Sequence, residues 1–145
     1  MKQLWNYGSG MMVWVGFLIG FGYIFYMSMG NTSTPKNKLY NKLFNSKTYL
    51  QHLGISGILC FYGFYACQNI DARSTMFFAP TSFLIAFFFA DRLVQRLTGR
   101  HIVMAFRGDF KPPYHRWYID SLCSVLVLFT SIVVPGMLMN YFLHA

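Results

Sequence analysis

Residues 75–100 read TMFFAPTSFLIAFFFADRLVQRLTGR. From Thr75 to Ala90 there is no charge, and then Asp91, Arg92, Arg96 and Arg100 arrive together. A helix needs roughly 20 mostly uncharged residues to cross the hydrocarbon of a bilayer, and arginines at its end suit the phosphate layer. The stretch therefore reads as a membrane span that closes on a polar surface. Pro80 falls in its first turns, where a missing N–H is tolerated, and Gly99 is placed to cap it.

Three more apolar runs, at 10–29, 49–68 and 118–142, join the one at 75–95. The chain of 145 residues is 55% hydrophobic, 20% aromatic and only 11% charged, against roughly 25% charged in soluble domains. The expectation is an all-α integral membrane protein: four transmembrane helices in one small bundle, a single domain over 1–145, with no room for a separate soluble domain. The first run, MMVWVGFLIGFGYIFYMSM, is long and aromatic and lacks a small-x-small cleavage site, so it reads as a retained span. Pro135-Gly136 should bend the last one.

Charge sets the expected orientation. Lys36, Lys38, Lys42 and Lys47 lie between spans one and two, and Arg92, Arg96, Arg100, Arg107, Lys111 and Arg116 between spans three and four. Only Lys2 and Arg73 fall on the other side. The positive-inside rule then places both termini outside and the longest loop, between spans three and four, inside. A bacterial or organellar inner membrane fits this pattern. Trp5, Tyr7, Tyr49, Trp117, Tyr118 and Tyr141 fall at span ends, where amphipathic rings prefer the headgroups. Within the long loop the apolar IVMAF at 102–106 suits the interface, and Pro112-Pro113 stops any helix.

Helix contacts in lipid favour small side chains. Gly16 and Gly20 supply them in span one, and Ser56, Cys60, Gly63 and Cys67 in span two, for packing within the bundle or against another subunit. Cys60 and Cys67 stand about 10 Å apart along a helix axis, too far for a disulfide, and Cys123 belongs to another span.

His52, Asp91 and Asp120 should lie at similar depth near the inner surface. They form either ordinary ion pairs with nearby arginines or a proton-relay, cation or phosphate site. As a partner of arginines, Asp91 should tolerate asparagine. Arg92, Arg96, Arg100, Arg107, Lys111 and Arg116 suit lipid phosphates or a partner. No cofactor is expected, since haem between helices wants facing histidines and His52 has none. Nucleic acid is not expected either, because the cations hug span ends rather than forming a basic domain.

The opening WNYGSGMMVWVGFL, a small part of the chain, resembles the anchor of small assembly factors for haem-copper oxidases. The rest of the chain does not follow that pattern, so the resemblance implies no function here. The expected function is a non-catalytic subunit, a scaffold or interaction component, of a larger membrane complex such as a secretion or conjugation apparatus or a respiratory assembly. Its partners would be anionic inner-side lipids and other membrane subunits. The alternatives are a small oligomeric transporter or channel, lined by Ser82, Thr130 and Ser131, and a lipid-modifying enzyme using His52, Asp91 and Asp120.

Overall fold

The computed structural model describes residues 2–28, 38–105, 109 and 111–144. Among these the regular elements are all helical: α1 (Lys2–Ser28), a 3-10 turn at Leu39–Phe44, α2 (Ser46–Asn69), a second 3-10 turn at Ser74–Phe78, α3 (Ala79–Thr98) and α4 (Trp117–His144). Gly10–Ser28, Ser74–Thr98 and Trp117–His144 are long and apolar enough to cross a membrane by length and composition. They match three of the expected runs within a few residues. The fourth run forms α2, a helix of 24 residues, but Gln51, His52 and its tyrosines and glycines dilute its apolar content.

Local chemistry fixes where the helices begin and end. The Asn45 side chain accepts from the Lys47 N–H and caps α2. Pro80 sits in the first turn of α3, where no intrahelical partner for its N–H is needed. Gly99 closes that helix with φ 72°, a left-handed conformation that glycine adopts without strain, and donates to the Gln95 carbonyl at 2.8 Å. Helix α4 continues through Pro135.

α3 is the centre of the molecule. It carries Phe83, Leu84, Phe87 and Val94 into a core completed by Ile24 and Met27 of α1, Tyr40 and Leu43, Ile102 and Met104, and Cys123 and Val127 of α4. Tyr23 meets Phe83, so α1 runs alongside α3. Tyr49 bonds the Leu84 carbonyl and Thr81 bonds that of Ser56, so α2 runs opposite. The outward faces are apolar: Trp14 and Leu18 on α1, Ile58 and Phe61 on α2, Leu122 and Phe129 on α4. Helices that are apolar all round and bury only one side suit a lipid surrounding.

At one end of the bundle, Ser74–Phe78 is entirely buried and wedged between α1 and α2. A Cβ at Gly16 would lie 3.1 Å from the Phe77 ring, at Gly63 2.7 Å from Phe77 Cβ, and at Gly20 2.6 Å from the Met76 carbonyl oxygen. Two of the three contacts are with atoms that have little freedom to retreat. The small residues of both helices thus admit the turn that starts α3. Of the others, Ser56 and Cys67 are buried and Cys60 half-buried, and all three cysteines are free thiols.

The opposite end, where α1 and α3 finish and α2 and α4 begin, is polar. One sequence expectation fails there. Ile102, Val103 and Met104 do not lie at an interface but are buried in the protein, because α3, α4 and the Leu39–Phe44 turn close over them. Lys36, Phe106 and Arg107 lie outside the described residues, as do the side chains of Trp5 and Tyr7.

Candidate functional site

After Gly99 the chain leaves the helix and passes through residues 100–105 with no regular structure. Buried backbone of this kind cannot satisfy its own N–H groups. Three successive donors are instead taken up by side chains from three elements. Ile102 N donates to Asp91 Oδ1 of α3 at 2.9 Å, Val103 N to Asp120 Oδ1 of α4 at 3.2 Å, and Met104 N to the Tyr40 hydroxyl at 2.9 Å. The segment is a strap, and the acceptors that hold it are two carboxylates and a phenol.

Asp120 is 0% exposed and makes the fullest set of bonds. Arg100 grips it as a fork, Nη1 to Oδ1 at 3.1 Å and Nη2 to Oδ2 at 2.6 Å, and Arg116 N donates to Oδ2 at 2.9 Å. A carboxylate in the first turn also faces the positive end of the α4 dipole. Arg100 donates in addition to the His101 carbonyl and lies over the Tyr114 ring.

Asp91, 9% exposed, accepts from Gln95 Nε2 at 2.9 Å as well as from Ile102 N. His101 Nδ1 lies 3.0 Å from its Oδ2 and 2.8 Å from Gln95 Nε2, so the ring, the amide and the carboxylate form one polar cluster. The same ring stacks on Phe44 at 4.1 Å between centroids. Tyr40 is 1% exposed, and burial pushes its hydroxyl up to about 12, only partly offset by the Met104 N–H. Burial likewise pulls His115, beside the strap, below its ordinary value. On the other side of the strap, Lys38 reaches the Met104 carbonyl and pairs with Asp109.

The structure brings two of the three expected site residues together and not the third. Asp91 and Asp120 are linked through adjacent strap amides. His52 bonds instead to the Tyr23 hydroxyl at 3.1 Å, and among the described residues no hydrogen bond or ion pair joins it to either carboxylate. Arg100 does not extend the stripe of Arg92 and Arg96. Gly99 has already ended the helix, and that glycine was the sequence signal for the change of direction. His101 and Tyr40 had no such signal, because their partners are distant in sequence.

Ser82 and Ser131 turn back to the carbonyls four residues earlier, at Phe78 and Val127. Thr130 lines a groove between α3 and α4. Among the described residues no three histidine, cysteine or carboxylate side chains gather as a metal ligand set.

These elements define a class, the all-helical multi-pass membrane protein, on three helices long and apolar enough to span. No family model, curated protein or solved structure matches the chain. Any functional reading therefore rests on the geometry.

Proposed function

We propose that the chain is a non-catalytic membrane subunit: a four-span scaffold, both termini outside, whose inner end lies against anionic lipid and supports a partner in a larger complex. The observation that carries this reading is how the polar groups are used. Asp91 and Asp120, the carboxylates best placed for chemistry, commit their oxygens to strap amides, Gln95, His101 and Arg100. That is an architectural role.

Two further features support it. The chain has four acidic residues, Asp71, Asp91, Asp109 and Asp120, and each is paired within the fold. Lys42, Lys47, Arg92, Arg96, Lys111 and Arg116 all sit at the polar end, and no carboxylate pairs with any of them among the described residues. Unmatched cations on one surface favour the anionic leaflet of a bilayer. α2, antiparallel to α3 and exposing Ile55, Ile58, Phe61 and Tyr65, reads as the fourth span.

Purification of the tagged chain in mild detergent, followed by mass spectrometry, should recover defined membrane partners in fixed ratio. A lone monomer would remove the subunit reading. Orientation is tested separately in a variant lacking native cysteines. A cysteine at Lys47 should be shielded from an impermeant thiol reagent in intact cells, and one at Arg73 should react.

A further inference from the structure

An open groove of about 390 Å³ lies at the polar end, between the first turns of α2, the Leu43–Phe44 corner and the last turns of α3. Leu50, Phe44, Phe87 and Phe88 make its walls apolar, while Arg92 and Ser46 stand on its rim. The Arg92 guanidinium lies 5.3 Å from the centre of the Phe88 ring, which places a cation against an aromatic wall. Ser46 opens α2, whose first turn has no acidic residue, so the positive end of that helix dipole also faces the rim. Asp91 reaches the groove too, but its oxygens are committed to Ile102 N, Gln95 and His101.

We infer that this groove holds one anionic phospholipid, its acyl chain along Leu50, Phe87 and Phe88 and its phosphate between Arg92 and the start of α2. The apolar walls demand a chain and the unmatched cation demands an anion, and a phospholipid of the adjoining leaflet carries both. The inference deepens the proposed function, since it rests on the polar end facing a bilayer.

The test uses the whole protein in micelles doped with phosphatidylglycerol or phosphatidylcholine, with bound lipid counted by native mass spectrometry. The wild type should keep one phosphatidylglycerol per chain in preference to phosphatidylcholine. Arg92→Gln should cut that preference about fivefold, the worth of one cation near an anionic surface. Arg96→Gln, outside the groove, should leave it unchanged. Leu50→Trp, which fills the groove, should abolish the one-per-chain binding of either lipid. Equal losses for Arg92→Gln and Arg96→Gln would show diffuse surface attraction only and overturn the site, as would undiminished binding by Leu50→Trp. Flotation with vesicles separates the two levels: a protein that floats without selectivity loses only the groove, whereas one that fails to float loses the membrane reading as well.

Discussion

The two ends of the bundle solve the same problem with different physics. At the Ser74–Phe78 end, three glycines on two helices let a buried turn come within van der Waals contact of neighbouring backbone. At the strap end, buried amides are answered by the side chains of Asp91, Asp120 and Tyr40. One end is held by shape and the other by polar satisfaction. A protein in lipid gains little from hydrophobic burial between helices, so each end must be specific in its own way. Their failures should differ accordingly.

The largest effect is expected at the strap. Asp120→Ala removes the acceptor for Val103 N and Arg116 N and strips a buried fork from Arg100. Breaking a buried ion pair from one side costs roughly 3–5 kcal/mol. Unfolding in mixed micelles should show a loss of that order, and a loss under about 1 kcal/mol, the worth of an exposed pair, would mean the fork is not buried in solution.

At the glycine end the expected losses are smaller and steric. Gly20→Ala meets the Met76 carbonyl oxygen and Gly63→Ala meets Phe77 Cβ, both under 3 Å. Overpacking of this kind costs about 1–3 kcal/mol. Gly57→Ala has open space around its Cβ and should be neutral or slightly stabilising, as Ala is the better helix former. If all three behave alike, close approach is not what holds this end.

Each end was legible in the sequence only in part. Apolar runs located three helices that can span, and of the small residues picked out by spacing, those at 16, 20 and 63 lie where the buried turn comes close. Asp91 and Asp120 were recognisable as polar groups at span ends. What could not be read was the strap. Ile102, Val103 and Met104 carry only three apolar side chains with no period to report, and their amides look for acceptors that are 11, 17 and 64 residues away. Backbone demand of that kind leaves no trace in side-chain pattern. Ser74–Phe78 was equally hidden, because its 3-10 geometry continues the same apolar run that becomes α3.

Tyr40 offers a pH test confined to the strap. Its hydroxyl is held at about 12 against an ordinary 10.0 because burial disfavours the phenolate. The fold thus prefers the protonated form. Its contribution is fully present below pH 10 and is lost as pH rises from there toward about 12, at roughly 1.4 kcal/mol per unit. Tyr40→Phe should cost about 1–3 kcal/mol at neutral pH by orphaning Met104 N. The gap between wild type and Tyr40→Phe should then narrow by about 1.4 kcal/mol on reaching pH 11. Parallel stability curves would show that the hydroxyl is already solvated. A glycine-end variant, which keeps Tyr40, should lose stability in parallel with the wild type, and only the Tyr40→Phe curve should separate from both by a pH-dependent amount.

Asp91→Asn should give the smallest loss among the changes at the strap and bears on why a carboxylate interrupts so apolar a helix. Read from sequence, tolerance followed from a weak exposed pair with neighbouring arginines. The structure replaces that reason, since the partners are Ile102 N, Gln95 and His101. Asparagine retains an oxygen for Ile102 N, and Gln95 can turn its amide oxygen toward the new NH₂ group. Only the charge facing His101 is lost, and that ring is half exposed, so the expected cost is under about 1 kcal/mol. Asp91→Ala leaves a buried amide unanswered and should cost about 1–3 kcal/mol. The ratio of the two separates the possible roles. Alanine much worse than asparagine means the residue serves the strap as an acceptor. Equal losses would make the charge itself, and its pairing with His101, the source of stability. An asparagine variant that is stable and correctly assembled but inactive would assign Asp91 a chemical role and displace the scaffold reading.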